Sequence, residues 1–222
     1  MPPYLPPANQ GIPILYCDQA ILVVDKPSGL LSVPGRGPDK QDCLLTRVQE
    51  QYPDALTVHR LDMETSGVSV IARNPEAHRT LSRFFQDRIV TKEYLAWVDG
   101  IPSENEGVID FPLIADWPNR PRQKVDTEHG KPAKTRWKRI RSQEDRSLMR
   151  LHPVTGRSHQ LRVHMQKLGH PILGDPLYAT EKAKQKAGRL LLHASRLAFP
   201  HPMEGKEIDI SCQPPFPVRF PS

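Results

Sequence analysis

Apolar residues occur along this chain in short blocks that alternate with polar residues or form brief runs, a pattern typical of strands. These blocks predict strands at residues 21–24, 67–72, 93–98, 135–140, 148–152, 190–197 and 207–211. Strands and helices do not alternate regularly. The pattern therefore predicts an α+β fold with a mixed, mostly antiparallel sheet and flanking helices and loops.

Helical spacing of apolar residues is found in three segments. Leu44 begins one helix, which stops before Pro53, and Asn74 caps a second helix with proline in its first turn. The inner face of the second helix is predicted to carry Ala77, Leu81, Phe84 and Phe85. A third helix is predicted at residues 158–168, where Gly169 ends it.

Length and composition narrow the class of protein. The 222 residues suit one domain, so residues 1–20 are interpreted as a Pro-rich N-terminal arm and residues 21–222 as a single catalytic domain. The three cysteines are far apart and form no C-x-x-C pair, which predicts reduced thiols in a cytoplasmic protein. Neither an apolar run long enough for a membrane span nor a signal segment is evident.

Positive charge is concentrated in one stretch of the chain. Residues 117–150 contain eleven Lys or Arg and four Asp or Glu, a net charge of +7, whereas the rest of the chain carries −1. Such a concentration favours a polyphosphate partner, because neutralised phosphates release counterions. A solvated basic surface is the alternative.

Residues 59–67 (HRLDMETSG) place charged and turn-forming residues immediately before a predicted strand. In an extended segment Arg60 and Asp62 point to one side and Leu61 to the other, so a charged pair would face outwards at the edge of the sheet. An Arg–Asp salt bridge that closes a turn is the structural alternative.

Residues 153–164 (PVTGRSHQLRVH) combine a turn with the start of the third helix. His159 and Arg162 are three apart and are expected on one helix face, opposite the apolar residues. A metal site formed by His159 and His164 is disfavoured, because a spacing of five separates them by about 140° around a helix. Tyr94 lies on a predicted strand, within TKEYLA.

Together these segments resemble the RluA family of pseudouridine synthases. The resemblance is carried by VVDKPSGLLSVPG, HRLDMETSGV, KEYLAWV, PVTGRSHQLRVHM with GHPILGDPLYA, and LLLHASRLAFPHP, over residues 21–202. ADWPNRPRQKV, residues 115–125, is similar to the branch of the family that acts on both transfer RNA and 23S ribosomal RNA. The resemblance implies the pseudouridine synthase fold around a central catalytic cleft. The short length leaves no room for the N-terminal S4-like domain that many members of the family carry, so none is expected.

The resemblance also implies roles for individual residues. Asp62 would be the catalytic carboxylate, as a nucleophile or in a glycal-type route. Arg162 would pair with it, and Tyr94 would pack on the uracil ring and take part in removal of the C5 proton. Leu191 or Leu192 would line the pocket under the base. No redox step or group transfer is involved, so neither a cofactor nor a metal is expected.

The target uridine must leave its helical stack to reach Asp62. Arg60 is the candidate to fill the vacated position, with support from His59. Further predicted RNA contacts are Arg120, Arg122, Lys124, Lys134, Arg157 and His159, and solvated surface charge is the alternative for each.

The resemblance implies a monomer that acts on a uridine near the start of a tRNA anticodon loop and on a similar hairpin loop of 23S ribosomal RNA. The alternative within the enzyme class is a synthase with a single ribosomal site. A non-catalytic RNA-binding or RNA-remodelling protein, and a hydrolase that uses Asp62 with a histidine, are the rival classes. No nucleophile elbow supports the hydrolase.

Overall fold

Short strands dominate the structure, a computed structural model that describes residues 3–218. The strands are β1 (Ile14–Cys17), β2 (Ile21–Lys26), β3 (Leu56–Thr57), β4 (Ser66–Ala72), β5 (Thr91–Asp99), β6 (Glu106–Asp110), β7 (Leu113–Ala115), β8 (Gln123–Val125), β9 (Lys134–Gln143), β10 (Arg146–Pro153), β11 (Leu192–Pro200) and β12 (Glu207–Ser211). The helices are α1 (Leu44–Gln49), α2 (Pro75–Gln86), α3 (Gln160–Lys167) and α4 (Glu181–Gln185), with 3-10 turns at Pro38–Lys40 and Trp117–Asn119.

The predicted α+β class is confirmed, and the predicted strands and helices are found within a few residues of their expected bounds. β1 forms part of the segment interpreted as an N-terminal arm. Residues 1–2 of that arm and residues 219–222 of the predicted domain lie outside the described residues. Among the described residues, no helix has the length and apolar character needed to cross a membrane.

The chain divides into two compact units, each described by itself below. Unit 1 comprises Met1–Lys92 with Ala194–Pro214, and unit 2 comprises Glu93–His193 with Pro215–Ser222. Two of the three boundaries fall inside β5 and inside β11, and the third lies after β12, between Pro214 and Pro215. The prediction that residues 21–222 act as one catalytic domain stays a prediction.

Unit 1 is built on antiparallel β1, β2 and β4, with β3 paired to β4 and β12 paired to β11. Alternate residues of β2 enter two different apolar clusters: Ile21 and Val23 pack with α2, and Leu22 and Val24 pack with α1. Both faces of the sheet are therefore covered, which is why every residue of β4 is buried.

α2 confirms its predicted cap and inner face. The Asn74 side chain accepts a hydrogen bond from the backbone N–H of Ala77 at 2.8 Å, and proline occupies the first turn. Ala77 and Leu81 are fully buried, and Phe84 and Phe85 pack against the same cluster.

Unit 2 contains an antiparallel sheet in the order β5, β10, β9 and β6, and a separate hairpin of β7 and β8. Successive residues of β5 again enter opposite clusters. Ala96 and Val98 pack with α3, whereas Trp97 packs with α4. The face that carries α3 is the one on which several predicted site residues lie.

Candidate active site

Asp62 lies in the tight connection between β3 and β4 of unit 1. Its carbonyl oxygen accepts a hydrogen bond from the N–H of Thr65 at 3.0 Å, which closes the turn. Arg60 is exposed, Leu61 is buried and Asp62 is half-buried, as the alternation of an extended segment predicts. The turn thus presents a carboxylate at the surface of unit 1.

A buried lysine holds this turn in place. Lys26 is fully buried, and its ammonium donates to the carbonyl oxygen of Met63 at 3.0 Å and to two carbonyls of the turn that follows β2. The Ser32 hydroxyl donates to the Leu61 carbonyl at 2.7 Å and accepts from the Leu61 N–H at 3.1 Å. Residues on both sides of Asp62 are therefore tied to the segment after β2, which orients the carboxylate.

Gly67 allows the strand after Asp62 to approach the neighbouring backbone closely. Its φ is +117°, and a Cβ atom there would lie 2.2 Å from the carbonyl oxygen of Ala194. A side chain at this position is incompatible with the observed backbone. The glycine in the TSG sequence thus positions the end of the Asp62 turn.

His59 packs inside unit 1. Its Nε2 accepts a hydrogen bond from the N–H of Val70 at 3.1 Å, and its ring stacks on Phe85 with centroids 4.4 Å apart. Burial, with a smaller contribution from Lys92, lowers the pKa of His59 to about 3, so the ring is neutral near pH 7. The half-buried ring thus supports the segment that carries Arg60, and contact between His59 and RNA stays a prediction.

Arg60 is exposed and, among residues 3–218, forms no ion pair. The alternative in which Arg60 and Asp62 close the turn as a salt bridge is therefore wrong. The guanidinium is available to a ligand that approaches the Asp62 turn.

Tyr94 of unit 2 lies on β5, where it pairs with Leu151 of β10 and packs against the cluster shared with α3. Leu192 belongs to the same cluster and is 2% exposed, whereas Leu191 packs in the cluster on the opposite side. Of the two leucines considered for a uracil pocket, Leu192 is therefore the one on the side of Tyr94.

Arg162 lies on α3, where it is 2% exposed. Its Nε and Nη2 donate to the two carboxylate oxygens of fully buried Asp175, at 2.8 Å and 2.7 Å. A bidentate pair fixes the plane of the guanidinium as well as its position. Asp175 was missed by the sequence analysis, although it lies within GHPILGDPLYA.

Tyr178 connects several predicted residues of unit 2. Its hydroxyl lies 2.7 Å from Nδ1 of His159 and accepts a hydrogen bond from the N–H of Gln123 at 2.7 Å. The guanidinium carbon of Arg162 lies 5.0 Å from the centre of the Tyr178 ring. The backbone N–H of Tyr178 in turn donates to Asp175 at 3.1 Å.

The expectation that His159 and Arg162 share a helix face is wrong. α3 begins at Gln160, and His159 precedes it with a left-handed backbone (φ 54°). The Gln160 side chain instead accepts hydrogen bonds from the Thr155 hydroxyl and the Arg157 N–H, which shapes the turn before the helix. His159 and Arg162 still meet, but at Tyr178 rather than along α3.

Both ring nitrogens of His164 lie within hydrogen-bonding distance of groups of unit 2. Its Nε2 donates to the Phe111 carbonyl at 3.1 Å, and its Nδ1 lies 2.9 Å from the Thr135 hydroxyl. Burial is the main cause that lowers the pKa of this histidine. His164 therefore links α3 to β9 as a neutral side chain.

The remaining predicted RNA contacts differ in their surroundings. Arg120 and Lys124 are exposed in the β7–β8 hairpin, where Arg120 stacks over the Trp117 ring. The Lys134 ammonium lies 2.7 Å from a carboxylate oxygen of Asp110, so its charge is partly neutralised. Two other arginines of this set donate to backbone carbonyls. Arg122 donates to the carbonyl of Leu177, and Arg157 donates to the carbonyl of Pro132.

Comparison with protein families relates these arrangements to known proteins. Residues 20–167 match the family described as RNA pseudouridylate synthase. This range includes Asp62, Tyr94 and Arg162.

Curated relatives extend the similarity to nearly the whole chain. The "Dual-specificity RNA pseudouridine synthase RluA" of Escherichia coli strain K12 is 53% identical over 206 residues, which cover 92% of this chain and 94% of the relative. The protein of the same name from Yersinia pestis is 53% identical over 204 residues, covering 91% and 99%.

Solved structures of RNA pseudouridylate synthase domain proteins have a similar fold. The human RNA pseudouridylate synthase domain containing 1 superimposes with a TM-score of 0.79 at 28% identity, covering 96% of this chain and 87% of the human chain. The human domain-containing protein 4 gives a TM-score of 0.73 at 26% identity, covering 91% and 88%.

Proposed function

Because this chain belongs to the RNA pseudouridylate synthase family, we propose that it converts specific uridines of RNA hairpin loops to pseudouridine, with Asp62 as the essential carboxylate. The observation that carries the proposal is the family match over residues 20–167, which includes the half-buried Asp62 and its turn. The relatives with 53% identity are named dual-specificity enzymes. We therefore infer two targets, an anticodon-loop uridine of transfer RNA and a hairpin-loop uridine of 23S ribosomal RNA.

The reaction rearranges one nucleotide without gain or loss of atoms. The bond from ribose C1′ to uracil N1 breaks, the base turns, C1′ joins C5, and the proton lost from C5 is balanced by one gained at N1. The ionised Asp62 carboxylate either attacks the nucleotide or assists elimination to a glycal. Both routes need a carboxylate that is oriented and charged, which the anchored turn of unit 1 can present.

Arg162 is proposed to orient that carboxylate. A guanidinium has five N–H donors, and Asp175 engages the Nε and Nη2 groups. The buried Asp175 thereby sets the plane in which Arg162 meets a second carboxylate. Tyr94 and Leu192, on one side of β5 and β11, are proposed to contact the uracil ring.

Arg60 is proposed to occupy the space that the extruded uridine leaves in the RNA stack. It is exposed beside the Asp62 turn, and a planar guanidinium can stack on bases. Extrusion costs a few kcal/mol, and the stacking of Arg60 offsets part of that cost.

Tritium release tests the catalytic role of Asp62. Transcripts of an anticodon stem-loop and of the ribosomal hairpin, labelled with tritium at uracil C5, are incubated with the protein, and the label released to water is counted. We expect release from both transcripts, and release at background level for Asp62→Asn. Glu64→Gln is the matched control, because it makes the same change in the same turn, and it should retain activity. Turnover by Asp62→Asn would refute the assignment.

The rearrangement involves neither electron transfer nor a second substrate, so we propose that it needs no cofactor or metal. We also propose that the protein acts as a monomer, as the family resemblance implies, and in the cytoplasm, where its proposed substrates occur. We expect tritium release to be unchanged after the protein is dialysed against a chelator. We also expect the protein to sediment as a monomer.

A further inference from the structure

The most exposed tryptophan of the described chain lies at the tip of the basic β7–β8 hairpin. Trp117 is 66% exposed, whereas Trp97 and Trp137 are 0% and 5% exposed. The Arg120 guanidinium covers one face of the Trp117 ring, so the opposite face is accessible to a planar ligand. An exposed aromatic ring combined with positively charged side chains is the arrangement on which proteins stack the bases of single-stranded nucleic acids.

The hairpin tip is held in one conformation. The Asp116 N–H donates to the Arg122 carbonyl at 2.9 Å, and the Arg122 N–H donates to the Asn119 carbonyl at 3.0 Å. The Asn119 side chain donates to the Asp116 carboxylate at 2.9 Å. A ligand that binds here therefore meets a hairpin tip whose backbone is already hydrogen-bonded, which reduces the free energy needed to order it.

The hairpin is also tied to the Arg162–Asp175 pair within unit 2. The Gln123 N–H donates to the Tyr178 hydroxyl at 2.7 Å, and the Arg122 side chain donates to the Leu177 carbonyl. The backbone N–H groups of Leu177 and Tyr178 both donate to Asp175, at 2.8 Å and 3.1 Å. The position of Trp117 is thus set relative to the side chain that is proposed to orient the catalytic carboxylate.

We propose that Trp117 and Arg120 form a stacking site for an unpaired nucleobase of the RNA loop, other than the uridine that reacts. An aromatic ring backed by a guanidinium binds the π-face of any base, and the neighbouring Arg122 and Lys124 suit the phosphates on either side of it. The inference rests on the proposed function, because it assumes an RNA loop as the ligand. It adds a binding contact that is separate from the proposed catalytic roles.

Binding measurements in the Asp62→Asn protein separate this site from the chemistry. The Kd for an anticodon stem-loop is measured with Trp117 unchanged and with Trp117→Ala. We expect Kd to rise about 5- to 100-fold for Trp117→Ala, the range that stacking of one base on an aromatic side chain supplies. Trp117→Phe keeps an aromatic ring, so its Kd should stay close to that of the parent protein. Val108→Ala removes apolar surface that is 59% exposed on β6 of the same unit, and it should leave Kd unchanged.

The contacted base is identified by replacing each unpaired loop nucleotide in turn with an abasic one. At the position that stacks on Trp117, the abasic RNA should weaken binding to the parent protein and not weaken binding to Trp117→Ala any further. RNA should also quench tryptophan emission in the parent and not in Trp117→Phe, because the other two tryptophans are buried.

A Trp117→Ala protein with an unchanged melting temperature and a Kd within twofold of the parent would overturn the inference. Failure of the proposed function would look different. In that case the unmodified protein would release no tritium from either transcript, whereas the comparison of Kd values would still decide whether Trp117 binds the loop.

Discussion

At the scale of single residues, the structure identifies Asp175 as a partner of Arg162, which the sequence analysis had missed. Asp175 and Arg162 are 0% and 2% exposed, so removing the charge of Asp175 takes two charge-assisted hydrogen bonds from a guanidinium that is itself buried. We expect Asp175→Asn to lower the free energy of unfolding by about 3–5 kcal/mol. Urea denaturation measures this, and tritium release below the unfolding transition should show a reduced kcat because Arg162 is no longer held.

Asp209→Asn is the matched control for this prediction. Asp209 makes the same two-pronged contact with Arg196, but the two side chains are 41% and 38% exposed. An exposed pair contributes less than about 1 kcal/mol. Equal losses for the two substitutions would show that burial does not decide the strength of these pairs.

Residue-level prediction succeeded where the cause was local. The alternation of Arg60, Leu61 and Asp62 follows from the geometry of an extended chain, and it is observed. Asp175 is thirteen residues from Arg162, and Lys26 is 37 residues from Met63, so no periodicity could pair them. The same limit applies to the inward orientation of His59, which depends on Val70 and Phe85.

At the scale of elements, Gly67 determines how closely β4 approaches the chain at Ala194. In Gly67→Ala the alanine would have an unfavourable positive φ, and its Cβ would lie 2.2 Å from a backbone oxygen. β4 must therefore move. Gly205→Ala is the control, because its φ is +72° and nothing lies within 4 Å of the Cβ. Backbone strain alone costs about 1–3 kcal/mol. We expect a clearly larger loss of unfolding free energy for Gly67→Ala, measured by urea denaturation; similar losses would refute the packing argument.

Most elements could be predicted because apolar periodicity reports burial directly. α2, with its Asn74 cap and buried Leu81, is the clearest case. The β7–β8 hairpin was not predicted, since three-residue strands are too short to show a period. The start of α3 was placed two residues early because the left-handed backbone at His159 has no signature in the residue types around it.

At the scale of the whole molecule, the concentration of charge in residues 117–150 should govern how RNA binding depends on salt. Each lysine or arginine that neutralises a phosphate adds about 0.7–0.9 to the slope of log Kd against log salt. We expect Lys124→Gln to reduce the slope by about this amount, and Lys134→Gln to reduce it less because Asp110 already partners Lys134. Filter binding at several salt concentrations measures both slopes; the reverse order would contradict the assignment.

The contacts that attach the β7–β8 hairpin to unit 2 determine whether the hairpin can be exchanged. Its main chain is joined to the rest of unit 2 between Leu113 and Lys131 and between Gln123 and the Tyr178 hydroxyl, and its Arg122 side chain donates to the Leu177 carbonyl. Mutations at Trp117 and Arg120 change neither set of contacts. On the proposed role of Trp117, exchanging this hairpin by grafting should therefore change which RNA loops the protein binds without altering the Asp62 turn.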